Sequence, residues 1–294
     1  MFNKVVDLRY ECPKTANEVI KLLSVKDEIT MVFAGGTDLL VQMQEEAIEP
    51  TILVDIKKIE ETRLITVTKE KIEIGSAVTG AEIGENSELK AFWPGVVEAL
   101  ELIGSYQIQG RATIGGNLCN ASPAADSVPA LIAAGAKLKI AGPNGLREIG
   151  VETFPVAPGQ TSLKKGEFVI SVVLEIPPEL SGHAYLRFIP RTEMDIAVVG
   201  AGAYIELNRK GICKDARLAL GAVSSTSKLV KRAPEILIGE KLEAPILEKL
   251  AEVARDACSP INDKRGTIEF RKKVAGVLAC RATKIAWSRT ERKP

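Results

Sequence analysis

The stretch from Thr113 to Leu131, TIGGNLCNASPAADSVPAL, most constrains what this chain can fold into. Gly115 and Gly116 stand side by side, and Asn117, Asn120 and Ser122 follow with short side chains that hydrogen-bond. Residues without a Cβ let backbone come within van der Waals distance of a ligand and take up positive φ without penalty. The pattern predicts a gripping loop. Asp126 and Ser127 stand where an N-cap is expected before the apolar run VPALIAAGA, so the loop should deliver the chain into a helix start, a place that suits phosphates and polyol hydroxyls.

A second loop of this kind lies upstream. Strand-like TMVF (Thr30 to Phe33) runs into Ala34-Gly35-Gly36-Thr37-Asp38 and then helix-like LLVQM. Strand, glycine pair, helix is the layout of an anion cradle. A lone Gly-Gly is also an ordinary turn, and this one matches neither the GxGxxG dinucleotide fingerprint nor a Walker A loop. Two such loops in one chain favour a ligand site.

Composition narrows the class. A chain of 294 residues is long enough for a large core and, as a prior, for two domains. Thirty-nine basic against 38 acidic residues leave a net charge of +1, so no general attraction to nucleic acid or anionic membrane is expected. Neither an apolar run of about twenty residues nor a basic start followed by an apolar core opens the chain, which predicts a cytoplasmic protein without a membrane span. Cys12, Cys119, Cys213, Cys258 and Cys280 form no CxxC pair, which argues against a zinc or iron–sulfur site of local spacing and suits reduced thiols. His183, the only histidine, has no nucleophile motif beside it and is expected at the surface or a strand edge. Ser–His–Asp and Cys–His mechanisms and histidine zinc sites are therefore unsupported, and any chemistry points to an organic cofactor.

Taken in order, the chain reads as α+β. KVVDLRY is a short strand, and TANEVIKLL a helix with Thr15 and Glu18 in capping-box spacing, repeated at Thr79 and Glu82. TILVDI is a buried strand, LITV and KIEIG a hairpin, and Phe92 to Ile103 a helix ended by Gly104. Residues 105–126 carry few large apolar side chains and read as a long loop that a bound cofactor would explain. KLKIAG and LREIG pair across Pro143-Asn144-Gly145, and GEFVISVVLEIPP is a strand closed by prolines, which places a domain boundary near 178–182. Three antiparallel strands follow (AYLRFI, IAVVGAGAYIEL and ARLALGAVS), then amphipathic helices over 246–257 and 267–287, the latter with Arg271, Lys272 and Lys273 on a solvated outer side.

AGGTDLL at 34–40 together with RATIGGNLCNASPAAD at 111–126 resembles the FAD-binding medium subunit of the molybdenum hydroxylases, the group of xanthine dehydrogenase, aerobic CO dehydrogenase and nicotinate dehydrogenase. The resemblance covers the whole chain. It implies a vanillyl-alcohol-oxidase (PCMH) type FAD-binding domain over 1–178, in two α+β subdomains split near 55–60, and a C-terminal domain over 179–294. It also implies FAD on this chain, with molybdopterin on a large partner subunit and 2Fe–2S clusters on a small one, as in a heterotrimer. NAD⁺ is the first expectation for the acceptor, with oxygen, a quinone or ferredoxin open. By the same resemblance Val32, Phe33, Ala34, Gly35, Gly36, Thr37, Asp38 and Leu39 would wrap the pyrophosphate. Thr113, Ile114, Gly115, Gly116, Asn117 and Asn120 would hold the phosphates and ribityl chain from the other side. Asp126 would accept from cofactor hydroxyls or cap its helix, and Ile103, Val169 and Ile170 would line a ring or pack the core. Arg187 falls where some relatives carry a Lys reaching the flavin, and Asp195 and Ile196 would approach its face, Ile196 where some relatives place a Tyr. Gln109-Gly110 replaces a common Arg-Asn. No catalytic residue beyond the flavin and no metal ligand is expected here. The rival readings are a self-contained flavin oxidoreductase of the same fold and a non-enzymatic scaffold whose glycine loops merely turn.

Overall fold

Short alternating strands and helices near the N-terminus give way to two antiparallel sheets in this computed structural model, which describes residues 8–192 and 194–290. Residues 4–7 of KVVDLRY, and Glu193 in the segment RTEMDIA, lie outside the described residues. The first sheet is parallel, in the order Arg9–Glu11, Ile52–Asp55, Thr30–Phe33. Its central strand is buried throughout, as the apolar run ILV requires. The helix Ala16–Leu23 covers the sheet and begins as its spacing predicts. Thr15 Oγ1 accepts from Glu18 N (3.3 Å) while the Glu18 carboxylate accepts from Thr15 N (3.2 Å). Thr79 and Glu82 repeat the box at the helix Gly80–Glu85. Each box satisfies two otherwise unpaired N–H groups and contributes about 1 kcal/mol.

The second sheet has five strands in the order Ile65–Val67, Lys71–Gly75, Phe168–Glu175, Lys137–Gly142, Gly145–Gly150. Phe168–Glu175 lies at its centre, antiparallel to both neighbours and buried except at its last residue. Gly145 takes φ +97° in the turn between the last two strands, a conformation that favours glycine. Against this sheet pack the helices Pro94–Glu101 and Ser127–Ala133, enclosing Ile72, Ile74, Leu100, Leu131 and Leu138 in one core.

The third sheet corrects one expectation. It holds four antiparallel strands, not three, because Lys228–Leu229 adds to Ser181–Phe188, Val199–Leu207 and Cys213–Gly221. All nine residues of Val199–Leu207 are buried, since both faces are covered. Ala201, Ala203 and Ile205 face the helices Ala244–Asp256 and Ile268–Arg289, whereas Gly202 and Tyr204 face the N-terminal half.

Three further readings change. The stretch 105–126 is not one long loop, because Tyr106–Gln109 and Ile114–Cys119 are short helices. Small side chains there serve close packing. His183 lies on the edge strand Ser181–Phe188, as one of its two expected places had it, but it is buried at 1% exposure and not at the surface: its ring packs edge-on to Trp93 and against Gly95, and its Nε2 lies 3.1 Å from Ala130 O. Arg271 is also buried, against the reading of a basic outer face. It donates to Val198 O (2.7 Å), to Ala222 O (3.2 Å) and to both oxygens of Asp263 (2.8 Å each). Among the described residues no helix is long and apolar enough to cross a membrane.

Candidate functional site

The two glycine motifs meet. The strand Thr30–Phe33 ends in the first loop, and a Cβ on Gly35 would overlap the carbonyl oxygen of Arg111, just ahead of the second motif. Gly35 therefore permits a backbone-on-backbone approach that an alanine would block. Gly36 takes φ +76°, and a Cβ there would lie 2.5 Å from the Phe33 ring. On the other side, Gln42 Nε2 donates to Asn120 Oδ1 (3.2 Å) and ties the helix Leu39–Gln44 to the second motif. Between them opens a cleft of about 430 Å³, within the size range of small-molecule sites.

The two motifs differ in whether their backbone N–H groups are engaged. In the second motif the backbone donors are already engaged: Ile114 N with Val78 O (3.1 Å), Gly115 N with Ser76 O (2.9 Å), Gly116 N with Thr113 Oγ1 (3.0 Å) and Asn117 N with Thr113 O (3.0 Å). Neither Gly115 nor Gly116 has positive φ, so the expected loop conformation is replaced by a capped helical turn. Gly115 is glycine because a Cβ would sit 2.6 Å from Ser76 O. The first loop is the reverse case. The N–H groups of Gly35, Gly36, Thr37, Asp38 and Leu39 meet no acceptor among the described residues. Five consecutive unengaged donors on a cleft wall suit an anion with several acceptor oxygens.

Of the sequence-predicted residues, Val32, Ala34, Gly35, Gly36, Thr37, Asp38 and Leu39 line the cleft from the first loop. Thr113, Gly115, Gly116, Asn117 and Asn120 line it from the second motif, and Ile103 and Val169 add apolar wall. Asn117 Oδ1 accepts from Ser127 Oγ (2.6 Å), which leaves its amide N–H groups for a ligand. Asp38 makes no cap bond, and desolvation holds its carboxyl above the usual range. The other predicted residues stand elsewhere. Phe33 packs beneath Gly36 and edge-on to Tyr10, and Ile114 and Ile170 belong to the core. Asp126 has helical backbone at the start of Ser127–Ala133 but makes no cap bond. Its carboxylate accepts instead from Arg187 Nη1 (2.7 Å) and the Tyr185 hydroxyl (2.8 Å), all three side chains being buried or nearly so. Burial pushes the Asp126 carboxyl up to about 6, against the opposing pull of Arg187 and Tyr185. Asp195 pairs with Arg191 (3.2 Å), and Ile196 is half exposed. None of Asp126, Arg187, Asp195 and Ile196 lines the cleft.

Sequence reasoning missed a third wall. Gly159 and Thr161 reach the cleft from the small hairpin Pro155–Ala157 and Gln160–Thr161, whose strands are too short to show a period, and Leu163 and Glu167 reach it from the segment that follows. Glu167 is held by Arg147 Nε (2.9 Å) and Nη2 (2.7 Å) and by Lys164 N (2.7 Å), and the Arg147 bond above all keeps its carboxyl below the usual range. Gln42 and Ser76 also line the wall. Gln42 was findable, since it sits one helical turn beyond Asp38. Cys119 lines the cleft as a neutral thiol, its pKa pushed up to about 12 by burial. No Lys or Arg lines the cleft among the described residues. Free N–H groups at one part and Leu23, Met31, Ile56, Ile103, Leu163 and Val169 as apolar wall fit a ligand with a phosphate link and flat rings.

Known proteins carry the same architecture. Residues 4–178 match the family described as the FAD binding domain in molybdopterin dehydrogenase, and residues 184–286 match the CO dehydrogenase flavoprotein C-terminal domain. The xanthine dehydrogenase FAD-binding subunit of Escherichia coli O157:H7 is 31% identical over 89% of this chain and 90% of its own length. The chain belongs to the FAD-binding subunits of the molybdenum hydroxylases. This FAD-binding subunit is also 28% identical to the nicotinate dehydrogenase FAD-subunit of Eubacterium barkeri, over 92% of this chain and 94% of the relative. Among solved structures, a chain of the Cu,Mo-CO dehydrogenase superposes on it with a TM-score of 0.91 at 29% identity, covering 96% of this chain and 98% of the other. Quinoline 2-oxidoreductase from Pseudomonas putida 86 gives 0.89 at 26% identity, covering 97% and 98%. The fold expected from the two motifs is therefore the fold found, and FAD is the cofactor of the subunit.

Proposed function

We propose that this FAD-binding subunit works in a cytoplasmic complex with a small 2Fe–2S subunit and a large molybdopterin subunit, and passes electrons from them to NAD⁺. The observation that carries the cofactor placement is the row of unengaged N–H groups from Gly35 to Leu39 on the wall of the cleft. In this reading those groups donate to the pyrophosphate oxygens, and the neutral dipoles converge on the anion without a cationic side chain. Thr113, Asn117 and Asn120 hold the adjoining hydroxyls through side chains, since the backbone donors of that motif are engaged. Ile103 and Val169 exclude water from the flat rings. Asp126, Tyr185 and Arg187 act as a group that fixes the C-terminal sheet against the start of Ser127–Ala133, close behind Asn117. The bound FAD supplies the conversion between single electrons and a hydride pair.

The purified subunit is expected to be yellow, with absorbance bands near about 370 and 450 nm, and to release FAD and not FMN on denaturation. NADH should bleach the longer-wavelength band anaerobically. If dithionite bleaches it and NADH does not, the nicotinamide assignment fails. A folded subunit that stays colourless after incubation with FAD would overturn the cofactor placement as well.

A further inference from the structure

Lys57 follows the strand Ile52–Asp55 and does not line the cleft, yet its ammonium group is fixed from three sides. Nζ donates to Ala34 O (2.9 Å) and to Asp55 Oδ2 (2.8 Å), and it lies 4.3 Å from the centroid of the Phe33 ring. Asp55 is itself buried and also accepts from the Tyr10 hydroxyl and from Lys57 N (2.9 Å). The cluster therefore has one rigid outlet, the carbonyl of Ala34.

That carbonyl is the first of the anion-binding loop. Phe33 O, one residue earlier, still finds a backbone donor in Ile56 N (3.1 Å), but the sheet ends there. Ala34 O and Gly35 N belong to one peptide unit, which is trans, as are all those described. In a planar trans peptide the C=O and N–H point in opposite directions. A bond from Lys57 to Ala34 O thus turns the Gly35 N–H away from Lys57. Gly35 and Gly36 follow, residues whose backbone has the widest freedom to flip if released.

We propose that Lys57 is the positioning residue of this loop: its bond to Ala34 O fixes the first peptide so that the N–H groups from Gly35 to Leu39 face a dinucleotide pyrophosphate as one donor array. The inference rests on the cofactor placement proposed above. Because Asp55 neutralises Lys57 at 2.8 Å, the contribution is orientation and not net charge.

The test measures FAD and riboflavin affinities of the purified apo-subunit by flavin fluorescence, since only FAD carries the pyrophosphate. Wild type should prefer FAD strongly. Lys57→Met should weaken FAD binding about tenfold, the effect of one charge-assisted hydrogen bond, and leave riboflavin within about twofold. The double variant Asp55→Asn/Lys57→Met removes both partners, leaves no buried orphan charge to unfold the protein, and should show the same lost preference. Full preference for FAD in the double variant would assign any single-variant loss to the unpaired Asp55 charge and overturn the proposal. An unchanged preference in Lys57→Met would overturn it too, with the cofactor placement intact. Equal affinity of the wild type for the two flavins would instead overturn the placement itself.

Discussion

Two buried residues give this subunit opposing responses to acid. His183 is enclosed by Trp93, whose ring centroid lies 5.3 Å away, and its pKa is pushed down to about 3 by burial. The folded state keeps it neutral while the unfolded chain titrates near 6.5, so its stabilising contribution is complete above about 6.5 and is lost as the pH falls, at up to about 1.4 kcal/mol per pH unit. Asp126 runs the other way. Its folded pKa of about 6 exceeds the unfolded 3.8, so the folded state takes up a proton first and acidification from about 6 adds stability. Between pH 6 and 5 the two slopes oppose and largely cancel. Denaturant unfolding of His183→Gln should therefore show stability rising over that interval, and Asp126→Asn should show it falling. The second variant also starts about 3–5 kcal/mol lower, because Arg187 is left buried without its partner. Parallel slopes in the two variants would contradict these assignments. The sequence marked both residues, but neither environment was legible in it. Asp126 was read as a cap or a ligand because local spacing is all that a sequence displays, and the Arg187 that engages it is 61 residues away.

Glycines decide how closely the elements approach, and they divide into two kinds. The strand Val199–Leu207 lies so near the helix Ser127–Ala133 that a Cβ on Gly202 would come 2.5 Å from Pro129 O. Gly95 repeats this between the helix Pro94–Glu101 and the strand Ser181–Phe188, with 2.6 Å to the Ala184 carbonyl carbon. Gly110, by contrast, has ordinary helical φ of −67° and only Gln107 O near, at 3.5 Å. Gly202→Ala should destabilise the fold by about 1–3 kcal/mol or more through forced separation of strand and helix. Gly110→Ala should be neutral or stabilising by about 0.4–1 kcal/mol, through a less flexible unfolded chain. Chemical-denaturation midpoints check both, and equal losses would contradict the packing argument. At this scale the sequence was most legible where structure is local: both capping boxes, the hairpin at Gly145 and the central strand Phe168–Glu175 follow from spacing and apolar runs. It was least legible where small residues serve contacts distant in sequence. The pair Gly115-Gly116 reads as part of a gripping loop, whereas Ser76 packed against it makes it a tight helical turn.

The two halves of the molecule share their core, and this bears on how FAD stabilises it. Tyr204 and Ala219 of the C-terminal sheet are buried in the same cluster as Ile72, Trp93 and Leu131 of the N-terminal half. The Trp93 ring lies 5.8 Å from that of Tyr204, and Glu98 accepts from Tyr185 N (3.1 Å) while pairing with Arg289, which also donates to His183 O (2.7 Å). Independent domains would meet through a smaller and more polar surface. Loss of this core would leave Trp93 and the inner side of Ser127–Ala133 in water, and that helix starts ten residues after Asn117 on the cleft wall. Thermal unfolding of the whole subunit is therefore expected as one transition, and FAD at about a hundred times its Kd should stabilise it as a unit by about 2.7 kcal/mol. A fragment of residues 1–178 should expose apolar surface, bind a hydrophobic dye and lose FAD affinity although it retains every residue of the cleft wall. Two separate transitions, with FAD moving only the first, would mean that the halves are thermodynamically independent and that the shared core is a contact without coupling.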